Sequence, residues 1–131
     1  MVYASFFPSP DQKPAVVLDT DTYNEVDDQF ALAHLLLSPD RIDLQAVYAA
    51  PFHNSRSSGP DDGMEKSFEE IHRIMDVVAA VNTPPVFRGS TSWISGGGAP
   101  VRSDATRDLI DRAMGIGDGK LYVVAIGAPT N

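Results

Sequence analysis

The chain has 131 residues, 43% of them hydrophobic, enough apolar material for one domain with a real core. Its net charge of −8 argues against nucleic acid or an anionic membrane as partner, because a negative surface repels phosphate. With no cysteine, disulfides and thiolate metal sites are excluded, and any metal must take oxygen or imidazole ligands.

The opening MVYASFFPSPDQK lacks the basic start and long apolar stretch of a secretion signal. Residues 1–13 are expected to form a loose arm, and residues 14–131 the domain. No apolar run reaches membrane-spanning length, and a cytoplasmic setting is expected. Pro14 to Leu18 is a short apolar run that ends abruptly in carboxylates, the pattern of a buried parallel strand delivering polar groups at its C-terminal end. Asn24 to Ser38 reads as a helix with Val26, Phe30, Ala33 and Leu37 marking its inner face, widened by Leu36 and Ala31, and Asn24 with Asp27 as a capping pair. Ser38-Pro39 stops it.

Ile42 to Ala50 is a second strand, followed by the polar loop PFHNSRSSGPDDG. Met64 to Val81 is a second helix that buries Ile71, Ile74, Met75 and Val78. Val86-Phe87 is a short third strand, and a glycine-rich loop through Gly96-Gly97-Gly98 follows. Ser103 caps a third helix, about Asp104 to Met114, and Leu121 to Ile126 is a fourth strand. Helices alternating with apolar strands predict an α/β fold: an open, mostly parallel, Rossmann-like sheet with helices on both faces. Each earlier strand leads into a helix and the last does not, so the sheet is expected to be truncated after its fourth strand, as in a fragment.

The chemistry concentrates between Asp19 and Asp28. Asp19 and Asp21 sit two apart at a strand end and can point the same way while Thr20 points opposite. Asp27 and Asp28 fall in the first turn of the next helix, where the positive end of the helix dipole favours carboxylates. Caps alone account for Asp27 or Asp28, but not for Asp19 and Asp21 at the end of an apolar strand. Crowded carboxylates repel and take up protons unless a cation compensates. A hard divalent ion does so, Ca²⁺ with flexible oxygen coordination, Mg²⁺ with a stricter octahedron. An EF-hand is excluded, because counting from Asp19 its sixth position is Asn24 rather than Gly and its twelfth is Phe30.

Ligands of open parallel sheets bind beyond the C-terminal strand ends. There the chain offers His53, Asn54 and Arg56 after the second strand, Arg88 after the third, and Thr130-Asn131 after the fourth. Asn54 suits sugar hydroxyls but equally an Asx turn. His53 and Arg56 read as solvated or structural, and His34 and His72 as helix residues with structural roles. Trp93 divides between a lid and core packing. Thr130, after a proline in a turn, is placed to leave its carbonyl free for a cation.

VVLDTDTYNEVDDQFALAHLL resembles the N-terminal signature of the inosine-uridine-type nucleoside hydrolases, usually D-x-D-P-G-x-D-D after an apolar strand. Here the loop is two residues longer and lacks Pro-Gly, and PFHNSRSSGP, GMEKS and IGAPTN are similar to a divergent branch with that longer loop. The resemblance implies Ca²⁺-dependent hydrolysis of the N-glycosidic bond of nucleosides. It makes Asp21, Asp28 and the Thr130 carbonyl metal ligands, Asp21 also the general base, Asp27 and Asn54 substrate-binding, and Asp19 a support behind the ligands. The family's late aspartate ligand and its neighbouring histidine have no counterpart here, so the chain alone is expected to be weakly active or inactive. One rival is a haloacid-dehalogenase-like Mg²⁺ phosphatase, in which Asp27-Asp28 would have no role. Another is a metal-binding remnant or interaction module. An uncovered last strand predicts a homo-oligomer or association through the sheet.

Overall fold

The computed structural model describes residues 11–94 and 99–131. Most of the expected arm and Gly96 to Gly98 lie outside the described residues.

The first strand, β1 (Ala15–Thr20), runs two residues further than its apolar core. It lies between two parallel neighbours, β2 (Asp43–Ala49) and β4 (Leu121–Ala125). Asp19 pairs with Tyr48 on one side and Ala125 on the other, so the ladder carries the first carboxylate as part of the strand. Being central, β1 is buried from Val16 onward, and the burial continues through Thr22.

The helix α1 (Val26–Leu36) follows β1, and α2 (Pro60–Val77) follows β2. Then come β3 (Val86–Arg88) and α3 (Asp104–Gly115). All strand pairs are parallel and the sheet order is β3-β2-β1-β4. The chain steps outward from β1 to β3 and then returns to the other side of β1. β1 and β4 therefore flank a topological switch point, where a crevice opens beyond their C-terminal ends.

Side-chain alternation divides the core. Leu18, Val47 and Ala49 face Leu32 and Leu36 of α1 and Met64, Ile71, Ile74 and Met75 of α2. Val17, Ala46 and Tyr48 face Ala105 of α3, with Leu109 packed alongside. On that second face the buried Tyr48 hydroxyl donates to Asp108, which also accepts from Arg112. The expected open α/β sheet with helices on both faces is the architecture observed.

Two local expectations are corrected. On α1, Val26, Phe30 and Leu37 are 62%, 72% and 63% exposed, whereas Asp28, Leu32 and Leu36 form the buried stripe. Of the expected face, Leu36 is buried and Ala33 packs against the core; apolar residues lie on both sides of this helix, so spacing alone does not select the inner face. The expected Asn24–Asp27 capping pair is absent: Glu25 is the N-cap, without a side-chain bond, and Asn24 turns back toward β1.

The second helix starts earlier than expected. Pro60 needs no N–H partner in the first turn, and Asp62 accepts from the Ser58 N–H at 2.8 Å. It also ends earlier, where Ala79 adopts φ 48°. Ser103 caps α3 as expected, its hydroxyl accepting from the Thr106 N–H at 3.0 Å. At the outer edge, Val123 and Val124 of β4 are 51% and 39% exposed. No helix among the described residues is long and apolar enough to cross a membrane.

Candidate functional site

The carboxylates gather at the C-terminal end of β1, and three structural elements hold them. Asp19 shares the sheet face of Val17, on the α3 side. Its Oδ1 accepts from Asn131 Nδ2 at 3.3 Å. Thr20 points to the opposite face, as alternation requires. Its hydroxyl donates to Asp28 Oδ1 at 2.6 Å and contacts the Thr22 hydroxyl at 2.9 Å. Asp21 lies past the strand between these two, in a turn closed by Asn24 N–H donating to its carbonyl at 2.7 Å. Asn24 Nδ2 also donates to Asp21 Oδ2 at 2.9 Å.

The exit of β4 presses against this group. Ile126 N–H donates to the Asp19 carbonyl at 2.9 Å. A Cβ on Gly127 would stand 2.9 Å from the Asp21 nitrogen and 3.1 Å from Asp21 Oδ1, so only glycine lets the two backbones approach this closely. Beyond it, the Asn131 side chain joins three strand ends. Its amide nitrogen reaches Asp19 and the Ala49 carbonyl, and its oxygen accepts from the Ser90 N–H. A Cβ on Gly89 would collide with the Ala49 carbonyl and with this side chain.

Burial sets the electrostatics. It pushes the Asp19 carboxyl up to about 7, against the Asn131 hydrogen bond and helped by the charge of Asp21. It pushes Asp28 up to about 6, against the Thr20 hydrogen bond and helped by Asp21, Asp27 and Glu25. Asp21 is raised as well, by burial first, with its bond to Asn24 opposing and Glu25 and Asp27 adding. Ion pairs among the described residues lie elsewhere: Lys66–Asp62, Arg73–Glu70, Arg88–Glu65, Arg107–Asp104 and Arg112–Asp108.

The donor set suits a hard cation. Asp21 and Asp28 offer carboxylate oxygen, the neighbouring groups are hydroxyls and carbonyls, and no thiol is present in the chain. Among the described residues no three Asp, Glu or His side chains stand close enough to form a metal shell by themselves. A cation here would draw on Asp21 and Asp28 together with neutral oxygen.

The other expected residues take varied positions. The Thr130 carbonyl, expected free, accepts from Ser90 Oγ at 2.8 Å and keeps one lone pair. Asp27 is exposed at the start of α1. Asn54 reaches the site through Asn24, its Nδ2 donating to Asn24 Oδ1 at 2.6 Å. Its own oxygen accepts from the Arg56 N–H at 2.8 Å, so it also makes the Asx turn. Arg56 is structural: its guanidinium donates to the Asn24 carbonyl at 2.8 Å. His53 stays within its own loop, 3.4 Å from Ser57 Oγ. Arg88 turns to Glu65 and lies 3.8 Å from the Phe68 ring centroid. Trp93 is 44% exposed and not a core residue.

Thr20, Asn24 and Ser90 belong to the site and carried no site role from sequence, whereas Asn131 was expected only as a residue following the fourth strand. Strand alternation gave a signal for Thr20, and the polar end of IGAPTN one for Asn131. A cavity of about 400 Å³ lies at the opposite end of the sheet, lined by Lys13, Leu36, Ile42 and Asp43 among others, and shares nothing with the carboxylates.

Comparison with models of known protein families, with curated proteins and with solved structures finds no match for this chain.

Proposed function

We propose that the mouth of the sheet binds Ca²⁺ and a nucleoside and hydrolyses the N-glycosidic bond, releasing base and ribose. The observation that carries this reading is the burial of Asp19, Asp21 and Asp28 at a topological switch point, with no side-chain cation paired to them among the described residues. Carboxylates with raised proton affinity are the groups that exchange a proton for a metal ion. The resemblance of DTDTYNEVDD to the nucleoside hydrolase signature supplies the reaction.

In this reading Asp21 and Asp28 hold the ion with the Thr130 carbonyl, and Mg²⁺ is the poorer occupant. Bound there, the ion would supply a more acidic water molecule and offset developing charge. Asp21 accepts that water's proton as general base. Asp27, exposed at the rim, and Asn54 hold sugar hydroxyls and orient the anomeric carbon. Asp19 acts from behind, fixed by Asn131. The negative field of the cluster favours an oxocarbenium-like transition state.

The exposed outer edge of β4 supports association with another copy or another chain, to be tested by the size of the protein in solution. A cytoplasmic setting accords with the cysteine-free composition. The reaction is tested by incubating a panel of ribonucleosides with the full chain and following free base and reducing sugar. Slow, Ca²⁺-dependent release that disappears in Asp21→Asn is expected. Release that persists in a chelator, or phosphate release from phosphomonoesters instead, contradicts the reading.

A further inference from the structure

The loops that follow β1 and β2 are joined by one uninterrupted hydrogen-bond chain, and Asn24 is its central link. Asn24 Nδ2 donates to Asp21 Oδ2 at 2.9 Å, and Asn24 Oδ1 accepts from Asn54 Nδ2 at 2.6 Å. Asn54 Oδ1 then accepts from the Arg56 backbone N–H at 2.8 Å. An ionised carboxylate only accepts, and a backbone N–H only donates. With an acceptor at one end and a donor at the other, a single orientation of both amides satisfies every bond.

The backbone of Asn24 is held as firmly as its side chain. Its N–H closes the turn on the Asp21 carbonyl at 2.7 Å, and its carbonyl accepts from Arg56 Nη1 at 2.8 Å. Arg56 is in turn held through its carbonyl by Lys66 Nζ at 2.7 Å. Beneath the bonds, Tyr23 and Phe52 stack with ring centroids 6.3 Å apart, joining the same two loops. Asn24 lies in the stretch that makes this loop longer than the D-x-D-P-G-x-D-D pattern, so the link is a property of the longer loop.

We propose that Asn24 is a positioning residue that orients the Asp21 carboxylate and couples it to Asn54, so that the metal half-site and the sugar contact respond as one unit. This rests on the reading of Asp21 as a metal ligand and Asn54 as a sugar contact. Asn24 Nδ2 occupies Asp21 Oδ2, so Oδ1, beside Gly127, is the oxygen that would be available to a cation. Asn54, itself no ligand, feels the charge on Asp21 through the Asn24 amide. The remaining N–H of Asn54 is left for a sugar hydroxyl.

The test is a Ca²⁺ titration of the full chain, followed by calorimetry and by ¹H–¹⁵N spectra of the side-chain amides. In the wild type, Ca²⁺ is expected to shift the Asn24 and Asn54 side-chain amide signals together. In Asn24→Ala the Asn54 signal ceases to respond, and Ca²⁺ affinity falls about tenfold, as loss of a charge-assisted hydrogen bond implies. Asn54→Ala, a change at an exposed position that leaves the fold intact, weakens Ca²⁺ about threefold although no ligand is touched. An Asn54 amide that still responds in Asn24→Ala, or unchanged affinity in Asn54→Ala, overturns the coupling while leaving the metal site standing. Absence of any Ca²⁺ binding by the wild type overturns both readings.

Discussion

Asp19 offers the sharpest physical test of the carboxylate cluster, because its effect on stability has a sign that depends on pH. Burial raises its carboxyl from an ordinary 3.8 to about 7. A group raised in the folded state stabilises the fold fully below its unfolded pKa, and the contribution is lost as pH rises through the folded pKa. The contribution of Asp19 to the metal-free protein is therefore lost between about pH 4 and pH 7. At about 1.4 kcal/mol per unit, ionising Asp19 in place costs on the order of 4 kcal/mol, less whatever water entry and shifts of Asn131 relieve. Asp19→Asn keeps the oxygen that accepts from Asn131 and removes the charge. It is expected to stabilise the metal-free protein by about 2 kcal/mol at pH 8 and by almost nothing at pH 4. Urea unfolding at both pH values in the presence of a chelator measures the difference. Equal stability of mutant and wild type at pH 8 would refute the argument.

Four further changes probe the scaffold of the site and the packing of α1. Thr20→Val removes the hydroxyl that donates to Asp28 at 2.6 Å and should cost about 1–3 kcal/mol in chemical denaturation when Asp28 is ionised. Gly127→Ala places a methyl group against Asp21 and Ala50, and thermal melting should fall by several degrees, the signature of about 1–3 kcal/mol of overpacking. Leu32→Ala should destabilise by about 2–5 kcal/mol and Phe30→Ser by less than about 0.5 kcal/mol; the reverse order would restore the face of α1 read from spacing.

The sheet was legible because its two inner strands carry apolar runs, PAVVL in the first and AVYAA in the second, that suit burial on both faces, and helices between the strands left a parallel sheet as the solution. The inner face of α1 was not legible for a physical reason. Its buried stripe includes Asp28, a carboxylate that serves the site, so the stripe reads as polar at its first position while Val26 and Phe30 read as core. Asn24 was misread for a related reason: three residues before an aspartate it resembles a cap, and only the turn after β1 reveals that its amide faces Asp21. The start of α2 was hidden because Pro60-Asp61-Asp62-Gly63 has the composition of a turn, although proline opens a helix equally well. Asn131 reaches Asp19 across 112 residues of chain, a contact that local pattern does not encode. The carboxylates themselves were legible because an apolar strand running into Asp19 and Asp21 has few structural explanations. What gathers around them, Thr20, Asn24 and Asn131, follows from topology.

The proposed function requires that these carboxylates hold a cation. It is tested most directly by calorimetric titration of Ca²⁺ into the wild-type chain and into Asp28→Ala at pH 6 and pH 8. Saturable binding to the wild type is expected, tighter at pH 8 than at pH 6, with proton release at pH 6 as Asp28, raised to about 6, gives up its proton for the ion. Binding should be lost in Asp28→Ala. A wild type that takes up no Ca²⁺ at pH 8, or one whose binding survives Asp28→Ala unchanged, would contradict it.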